Sequence, residues 1–337
     1  MSEKAYNEND ATYLKKTEML LDNFPPFVRG YLYEIENNIL PKTRYMYLYD
    51  LKLFFEFLVD NNPDLKDMNE ISLDYLNKLD YNDFTEYTHH MMSIVSDHTR
   101  ARRLSSLQRF WKYLYTRKLV TANQDFLTIS RPKLRKGNVV YLEKDEMNAL
   151  INNVENAVTL TDEQKKRVKK QSVRDLAIIS LIMGTGIRVS ECVSLDIKDV
   201  NLKDNSVHVF RKGRKEMSVY YTDEVCTNLS LYMEERSQLE VIPADKDALF
   251  ISRNHRRITA RAVENLVKKY ASEEIVGTKN ITAHKLRSSY GTSFYRQTGD
   301  LYLTATVLGH SSMQTTKDYY AAQSEEALKK AGDVKTW

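Results

Sequence analysis

Between residues 188 and 320, arginine, histidine, lysine and tyrosine stand where a packed helical chain would not need them. Met183-Gly184-Thr185-Gly186-Ile187-Arg188-Val189-Ser190-Glu191 sets an arginine at a glycine-flanked helix start. Ala283-His284-Lys285-Leu286-Arg287 places His284 and Arg287 three apart on one helical face, where both can reach a single phosphate. Leu308-Gly309-His310-Ser311 puts a second histidine beside a glycine, and Tyr319 and Tyr320 follow it. Each is weak alone: turn arginines are common, and in a chain with 22 tyrosines most of them pack. As a set, joined by a hairpin lysine and with no acidic cluster, they describe a metal-free site for a phosphodiester. Guanidinium forks bind the non-bridging oxygens and neutralise the charge of a pentavalent transition state. An imidazole relays the tyrosine proton, and an ammonium protonates the departing sugar oxygen. Tyrosine suits a reversible nucleophile, because its phosphoester keeps the bond energy for rejoining. Lys212, Lys215 and Lys198 compete for the ammonium role, and Tyr319 and Tyr320 for the nucleophile. His89-His90 and His255 have no companions at metal-ligand spacing, so neither a metal nor a nucleotide cofactor is expected.

These residues need elements to hold them. From Pro25 to Leu127 the apolar period is helical. Tyr47, Leu51, Phe54, Phe55 and Leu58 form one stripe, which Asn61-Asn62-Pro63 ends. Further helical patterns run through Leu73–Leu79, around Phe84–Met92, and from Thr99, where Leu104, Leu107, Trp111 and Leu114 share a face. Ser130-Arg131-Pro132-Lys133-Leu134-Arg135-Lys136-Gly137 has no apolar period and reads as a linker. Beyond it come a helix from Glu143, a charged stretch from Thr161 to Ser172, and a buried helix from Arg174 to Met183. Val207–Phe210 turns through Arg211–Lys215 into Met217–Tyr221, a hairpin signal. Helices are predicted over Glu224–Arg236, Thr259–Ala271, His284–Thr298 and Thr315–Lys330. The expected fold is mainly α: a helical N-terminal domain, then a mixed α/β domain, mostly helical with a small antiparallel sheet. The expected boundaries are a tail at 1–20, polar enough to be either mobile or a loosely docked first helix, the helical domain at 21–129, a linker at 130–142, the second domain at 143–323 and a tail at 324–337.

Composition excludes several classes. Ten Gly and six Pro among 337 residues leave no fibrous or low-complexity segment. Two cysteines, Cys192 and Cys226, cannot build a disulfide framework. No apolar run approaches the roughly 18 residues a membrane span needs, and the N-terminus has no signal core, so a cytoplasmic protein is expected. The net charge of +4 hides its distribution. Residues 1–97 hold 9 Lys+Arg against 18 Asp+Glu, whereas residues 98–136 hold 11 against Asp125 alone. Such a run is the footprint of a polyanion partner. Arg100, Arg102, Arg103, Arg109 and Lys112, with Arg131, Lys133, Arg135 and Lys136 of the linker, are candidates for phosphate contacts. Arg256 and Arg261, near the helix starting about Thr259, are candidates for groove contacts.

The order GTGIRVSE, hairpin lysine, HKLR, LGHSS and a tyrosine nine residues past the second histidine resembles the tyrosine recombinase (phage integrase) family. The resemblance covers almost the whole chain, including KTRYMYLYDLKLFFEFL, which adds Arg44 to the DNA-binding candidates, and TRARRLSSLQRFWKYL. It implies a helical core-binding domain followed by a catalytic domain. Carried over, it makes Arg188 the first catalytic arginine and Lys212 the general acid on the leaving 5′ oxygen. His284 and Arg287 become the H-x-x-R pair, and His310 a contact of the scissile phosphate. Tyr319 becomes the nucleophile and Glu191 the acid that orients the site. The chain departs from the family at Ala283, often proline, and at Ser288, often histidine; neither is assigned a role.

The resemblance further implies double-stranded DNA with a specific recombination site, a homotetramer in synapsis, a 3′-phosphotyrosyl intermediate and a Holliday junction. Within the family the chain is similar to the single-protein Xer type, which implies chromosome dimer resolution with a DNA translocase or directionality factor. The alternative is the integrase or transposase of a mobile element. A type IB topoisomerase-like nicking–closing enzyme and a catalytically silent DNA-binding protein are the rivals outside the class. Family members exchange a C-terminal helix between protomers, and residues 324–337 are the candidate segment.

Overall fold

Apolar residues at helical spacing turn inward over the first 120 residues and meet as a core of stacked and edge-on rings. In the computed structural model, residues 3–121, 129–133, 140–163, 165, 171–211, 215–310 and 316 are described. The chain divides into two units, whose main bodies are Tyr6–Gly137 and Asn138–Trp337.

The first unit is helical: α1 (Glu3–Leu21), α2 (Phe27–Ile35), α3 (Pro41–Asp60), α4 (Leu73–Lys78), α5 (Tyr81–Ile94) and α6 (Asp97–Thr116). The stripe on α3 buries Leu51, Phe54, Phe55 and Leu58, while Tyr47 is only half-buried. Phe54 meets Tyr87 edge-on with centroids 5.0 Å apart, and Phe84 meets Trp111 at 4.9 Å, so α3, α5 and α6 share one aromatic core. Ser72, Asp80 and Ser96 cap the starts of α4, α5 and α6 through their side-chain oxygens. Residues 1–20, read as a mobile tail or a loosely docked first helix, carry α1, whose Thr17 and Leu21 are buried. Its sequence lacks a strong apolar period, and burial is concentrated in its last turn and in Phe24 just beyond, which packs on Phe55 at 5.4 Å.

The second unit is built around α8 (Ser172–Thr185), buried on almost every side, with α7 (Lys144–Asn156), α10 (Asp223–Ser237) and α13 (Ala283–Thr298) packed on it. The short α9 (Val189–Val193) precedes an antiparallel sheet in the order β1 (Val200–Asn201), β2 (Ser206–Arg211), β3 (Lys215–Tyr220). Arg211 pairs with Lys215, leaving residues 212–214 between the strands. After α10 come α11 (Ala260–Tyr270), α12 (Glu273–Val276), α13 and α14 (Leu301–Leu308). Helix α14 was not expected: Leu-Tyr-Leu-Thr-Ala-Thr-Val-Leu is short and rich in β-branched residues. Asp300 starts it by accepting from Leu303 N at 2.8 Å, and Gly309 ends it. The expected helix over Thr315–Lys330 lies outside the described residues except for Thr316.

Candidate active site

Four elements of the second unit converge on the C-terminal end of α14. Helix α8 ends in Gly186, at φ +63°. A Cβ there would also lie 2.4 Å from Tyr290 Cδ1, so both the left-handed conformation and the space demand glycine. The chain then passes through buried Ile187 to Arg188, which caps α9. Glu191, nearly fully buried, accepts from Arg188 N at 2.9 Å and from Arg188 Nη1 at 2.7 Å. One carboxylate therefore holds this arginine by both backbone and guanidinium. On α13, Thr282 caps the first turn and the helix carries His284 and Arg287 onward. Arg287 is buried and donates to Gly186 O at 2.6 Å and to Leu308 O.

Helix α14 closes with Gly309 N bonded to Thr306 O at 2.9 Å and His310 N to Ala305 O at 3.0 Å, around Gly309 at φ +61°. A helix leaves its last carbonyls without intrahelical donors. Here guanidiniums supply them. Arg211 donates to Thr306 O at 3.2 Å and Val307 O at 2.6 Å, Arg287 to Leu308 O, and Arg188 to Gly309 O at 3.1 Å. Four consecutive carbonyls thus face three arginines from three separate elements. The negative end of the helix dipole, with Glu191, offsets the repulsion among them.

This cluster sets the charge of the two imidazoles. Burial and the neighbouring Arg287, Arg188 and Arg211 push His310 down to about 4. His284, although its ring still reaches solvent, is shifted downward by desolvation and by Arg287, Lys285 and Arg188. Both are neutral near pH 7. His310 Nδ1 lies 2.8 Å from Thr316 Oγ1, and the direction of that bond follows the ring tautomer. The His284 ring makes no hydrogen bond among the described residues, and there no group of three His, Cys, Asp or Glu could hold a metal.

Residues 140–326 match the phage integrase family, and residues 30–118 match the phage integrase N-terminal SAM-like domain. The chain belongs to the phage integrase family. It is 31% identical over 309 residues to the tyrosine recombinase XerC of Caldanaerobacter subterraneus subsp. tengcongensis, covering 88% of this chain and 83% of that one. It is 32% identical over 349 residues to the tyrosine recombinase XerS of Lactococcus lactis subsp. cremoris, covering 93% and 96%. Its fold is similar to that of the Tn1549 transposon integrase, solved with a circular intermediate DNA, at a TM-score of 0.66 and 18% identity over 90% of this chain and 97% of that one. The protein is a site-specific recombinase of the Xer-like tyrosine type.

The recombinase brings together five of the residues singled out from sequence: Arg188, Glu191, His284, Arg287 and His310. Lys212, Tyr319 and Tyr320 lie outside the described residues. Arg211 and Thr316 were missed. Thr316 carries no signal in its sequence context. Arg211 does, because alternation along β2 turns it to the same buried side as Val207 and Val209. Buried Cys192 has its thiol pushed up by desolvation, as for an inert packing residue.

The DNA-binding candidates divide by what they touch. Arg44 is buried and paired with Glu36 at 3.0 Å, and Arg100 with Asp97 at 3.0 Å. Arg102 pairs with the fully buried Asp50, whose Oδ2 also accepts from Ser106 at 2.7 Å. Arg103 is half-buried. Arg109 lies 5.9 Å from the Tyr47 ring centre and, like Lys112, Lys133, Arg256 and Arg261, is exposed. Arg131 is also exposed and donates to Gln108 Oε1 at 2.9 Å. Arg135 and Lys136 lie outside the described residues. Among the described residues no helix is long and apolar enough to cross a membrane.

The depressed His310 makes stability depend on pH. Between about 4 and the ordinary 6.5, the unfolded chain binds a proton that the folded site does not. This contribution is therefore present above about pH 6.5 and is lost as the pH falls towards 4. His284 shifts in the same direction. In His310→Gln, the unfolding free energy from urea melts should fall less steeply across this window than in the wild type, by up to about 1.4 kcal/mol per pH unit. Equal slopes would contradict the proposed environment of His310.

Proposed function

We propose that this recombinase cuts and rejoins double-stranded DNA at a specific site, through a 3′-phosphotyrosyl intermediate and a Holliday junction. The observation that carries the proposal is the cluster at the end of α14: Arg188 and Arg287 held rigidly, two neutral imidazoles beside them, and Glu191 as the carboxylate that orients Arg188. Two guanidiniums converging on one helix end suit the non-bridging oxygens of one phosphate. Tyr319 Oη attacks phosphorus while neutral His284 takes its proton. The bond to the 5′ oxygen breaks, and Lys212 gives that oxygen a proton. His310 donates to the phosphate through the nitrogen turned away from Thr316. Rejoining reverses each transfer, with the 5′ hydroxyl of the partner duplex as nucleophile.

The relatives named tyrosine recombinase XerC and XerS support an Xer-like role, and we propose that it is to resolve chromosome dimers in the cytoplasm, as a homotetramer working with a translocase or directionality factor. Residues 324–337, which lie outside the described residues, are the segment proposed for exchange with a neighbouring protomer in that assembly. A cavity of about 390 Å³, lined by Met147, Met183, Tyr290 and Phe294 together with Thr222, Ser293 and Gln297, is a candidate acceptor for them. The test is to incubate the protein with genomic DNA of its source, stop with detergent and sequence the covalent adducts. One enriched chromosomal locus is expected. Adducts only at the ends of a mobile element would replace the chromosomal role with the alternative, and no adduct at all would overturn the reaction.

In the first unit the exposed cations are proposed to follow the DNA backbone. Arg109→Ala with Lys112→Ala should leave the urea midpoint unchanged and reduce the slope of log K against log salt, by up to about 0.9 for each phosphate no longer neutralised. Arg102→Ala should instead destabilise, towards about 3 kcal/mol, because it leaves Asp50 charged and buried. Anisotropy titrations over a salt series, with urea melts, separate the two. An unchanged slope in the double variant would remove Arg109 and Lys112 from the interface.

A further inference from the structure

Arg211 is a charged residue at the inward end of a strand, only 8% exposed, and the family roles leave it unassigned. Its two terminal nitrogens grip Thr306 O and Val307 O, while Arg287 and Arg188 take the next two carbonyls of the same helix end. Its Nε is buried with no acceptor among the described residues, so the grip rests on the terminal N–H groups. The fit is close. A Cβ on Gly309 would lie 1.8 Å from Arg211 Nη1 and 2.5 Å from its Cδ. Gly309 is therefore needed both for its positive φ and for the guanidinium that lies over it.

Position along the chain gives this grip its meaning. Arg211 is the last residue of β2 and pairs with Lys215, the first of β3. Both strands end there, and residues 212–214 span the gap. An anchor at Arg211 fixes where that turn leaves the sheet relative to Arg188, Arg287 and His310.

We propose that Arg211 is a positioning residue: it docks the base of the 212–214 turn on the end of α14, so that the turn's lysine meets the leaving oxygen of the phosphate held there. This deepens the proposed function and rests on its assignment of Lys212 as the general acid. Arg211 touches no reacting atom. Its loss should act on proton delivery to the 5′ oxygen, with less effect on phosphate binding.

The test uses the full chain and two nicked duplexes of the recovered site, one ordinary and one with sulfur in place of the bridging 5′ oxygen. A thiolate leaves without a proton, so a fault in the general acid disappears on the sulfur substrate. Arg211→Met should slow cleavage of the oxygen substrate about 10²-fold, the scale of an ångström-sized misplacement. On the sulfur substrate it should come within about threefold of the wild type, by the same reasoning about proton delivery. If Arg211→Met unfolds, Arg211→Lys carries the same comparison, since a misfolded site slows both substrates alike. Equal slowing on both substrates in a folded variant, or no slowing on either, overturns the proposal. Lys212→Ala is the separate control. If sulfur fails to rescue it, the assignment of Lys212 falls, whatever Arg211 does.

Discussion

Tyr319→Phe should bind the recombination site with unchanged affinity and form no covalent complex, a loss of about four orders of magnitude or more. Removal of a nucleophile has that scale where the rest of the site survives. The change deletes one hydroxyl and leaves the ring. Tyr320→Phe is the matched control and should keep the complex. The choice between the two rests on the nine residues from His310, a spacing carried over from the family. Thr316 is buried, and its hydroxyl sits 2.8 Å from His310 Nδ1, which ties the chain just before both tyrosines to the site. A nicked duplex that releases its 5′ fragment on cleavage traps the adduct for a denaturing gel. A band that survives in Tyr319→Phe and disappears in Tyr320→Phe would reverse the assignment.

Arg287→Lys should lower the rate of that single-turnover cleavage by about 10²–10³, the cost of losing one preorganised donor to a transition-state oxyanion. Charge is conserved, so the effect comes from shape. Arg287 is 3% exposed and spans Gly186 O, at 2.6 Å, and Leu308 O with the two ends of one planar fork. A lysine ammonium cannot bridge both carbonyls and still aim an N–H at phosphate. One buried carbonyl is left unpaired, which should also lower stability by about 1–3 kcal/mol in a urea melt. Arg188→Lys should match it in rate and fall less in stability, because the Arg188 side chain is 36% exposed. Cleavage by Arg287→Lys within tenfold of the wild type would mean that the buried fork does not serve the phosphate.

Much of the helical scaffold was legible because its signals are local. The α3 stripe, the Arg174–Met183 helix and the pairing of β2 with β3 are each local along the chain, where spacing decides the outcome. The misses have local causes as well. The first helix is polar along most of its length, which left a tail and a docked helix both open, and α14 is one short β-branched segment. Arg102 shows a different limit. On α6 it reads as one more cation for DNA, yet its partner Asp50 lies 52 residues away on α3. No rule of spacing along one helix pairs them.

The sequence by itself determined which chemistry the chain carries, since the types and order of Arg188, His284, Arg287, His310 and the late tyrosines need no fold to be read. It also determined the helix-rich plan around one hairpin. Only the tertiary structure decided how those residues are held. The longest-range bonds that assemble the site join positions 95 to 121 residues apart, Arg211 to the end of α14, Arg287 to Gly186 and Arg188 to Gly309. Each is a side chain reaching a backbone carbonyl. Every residue carries such an acceptor, so its identity leaves no mark in the sequence, and the partner is chosen only by where the packed helices bring a helix end that still needs donors.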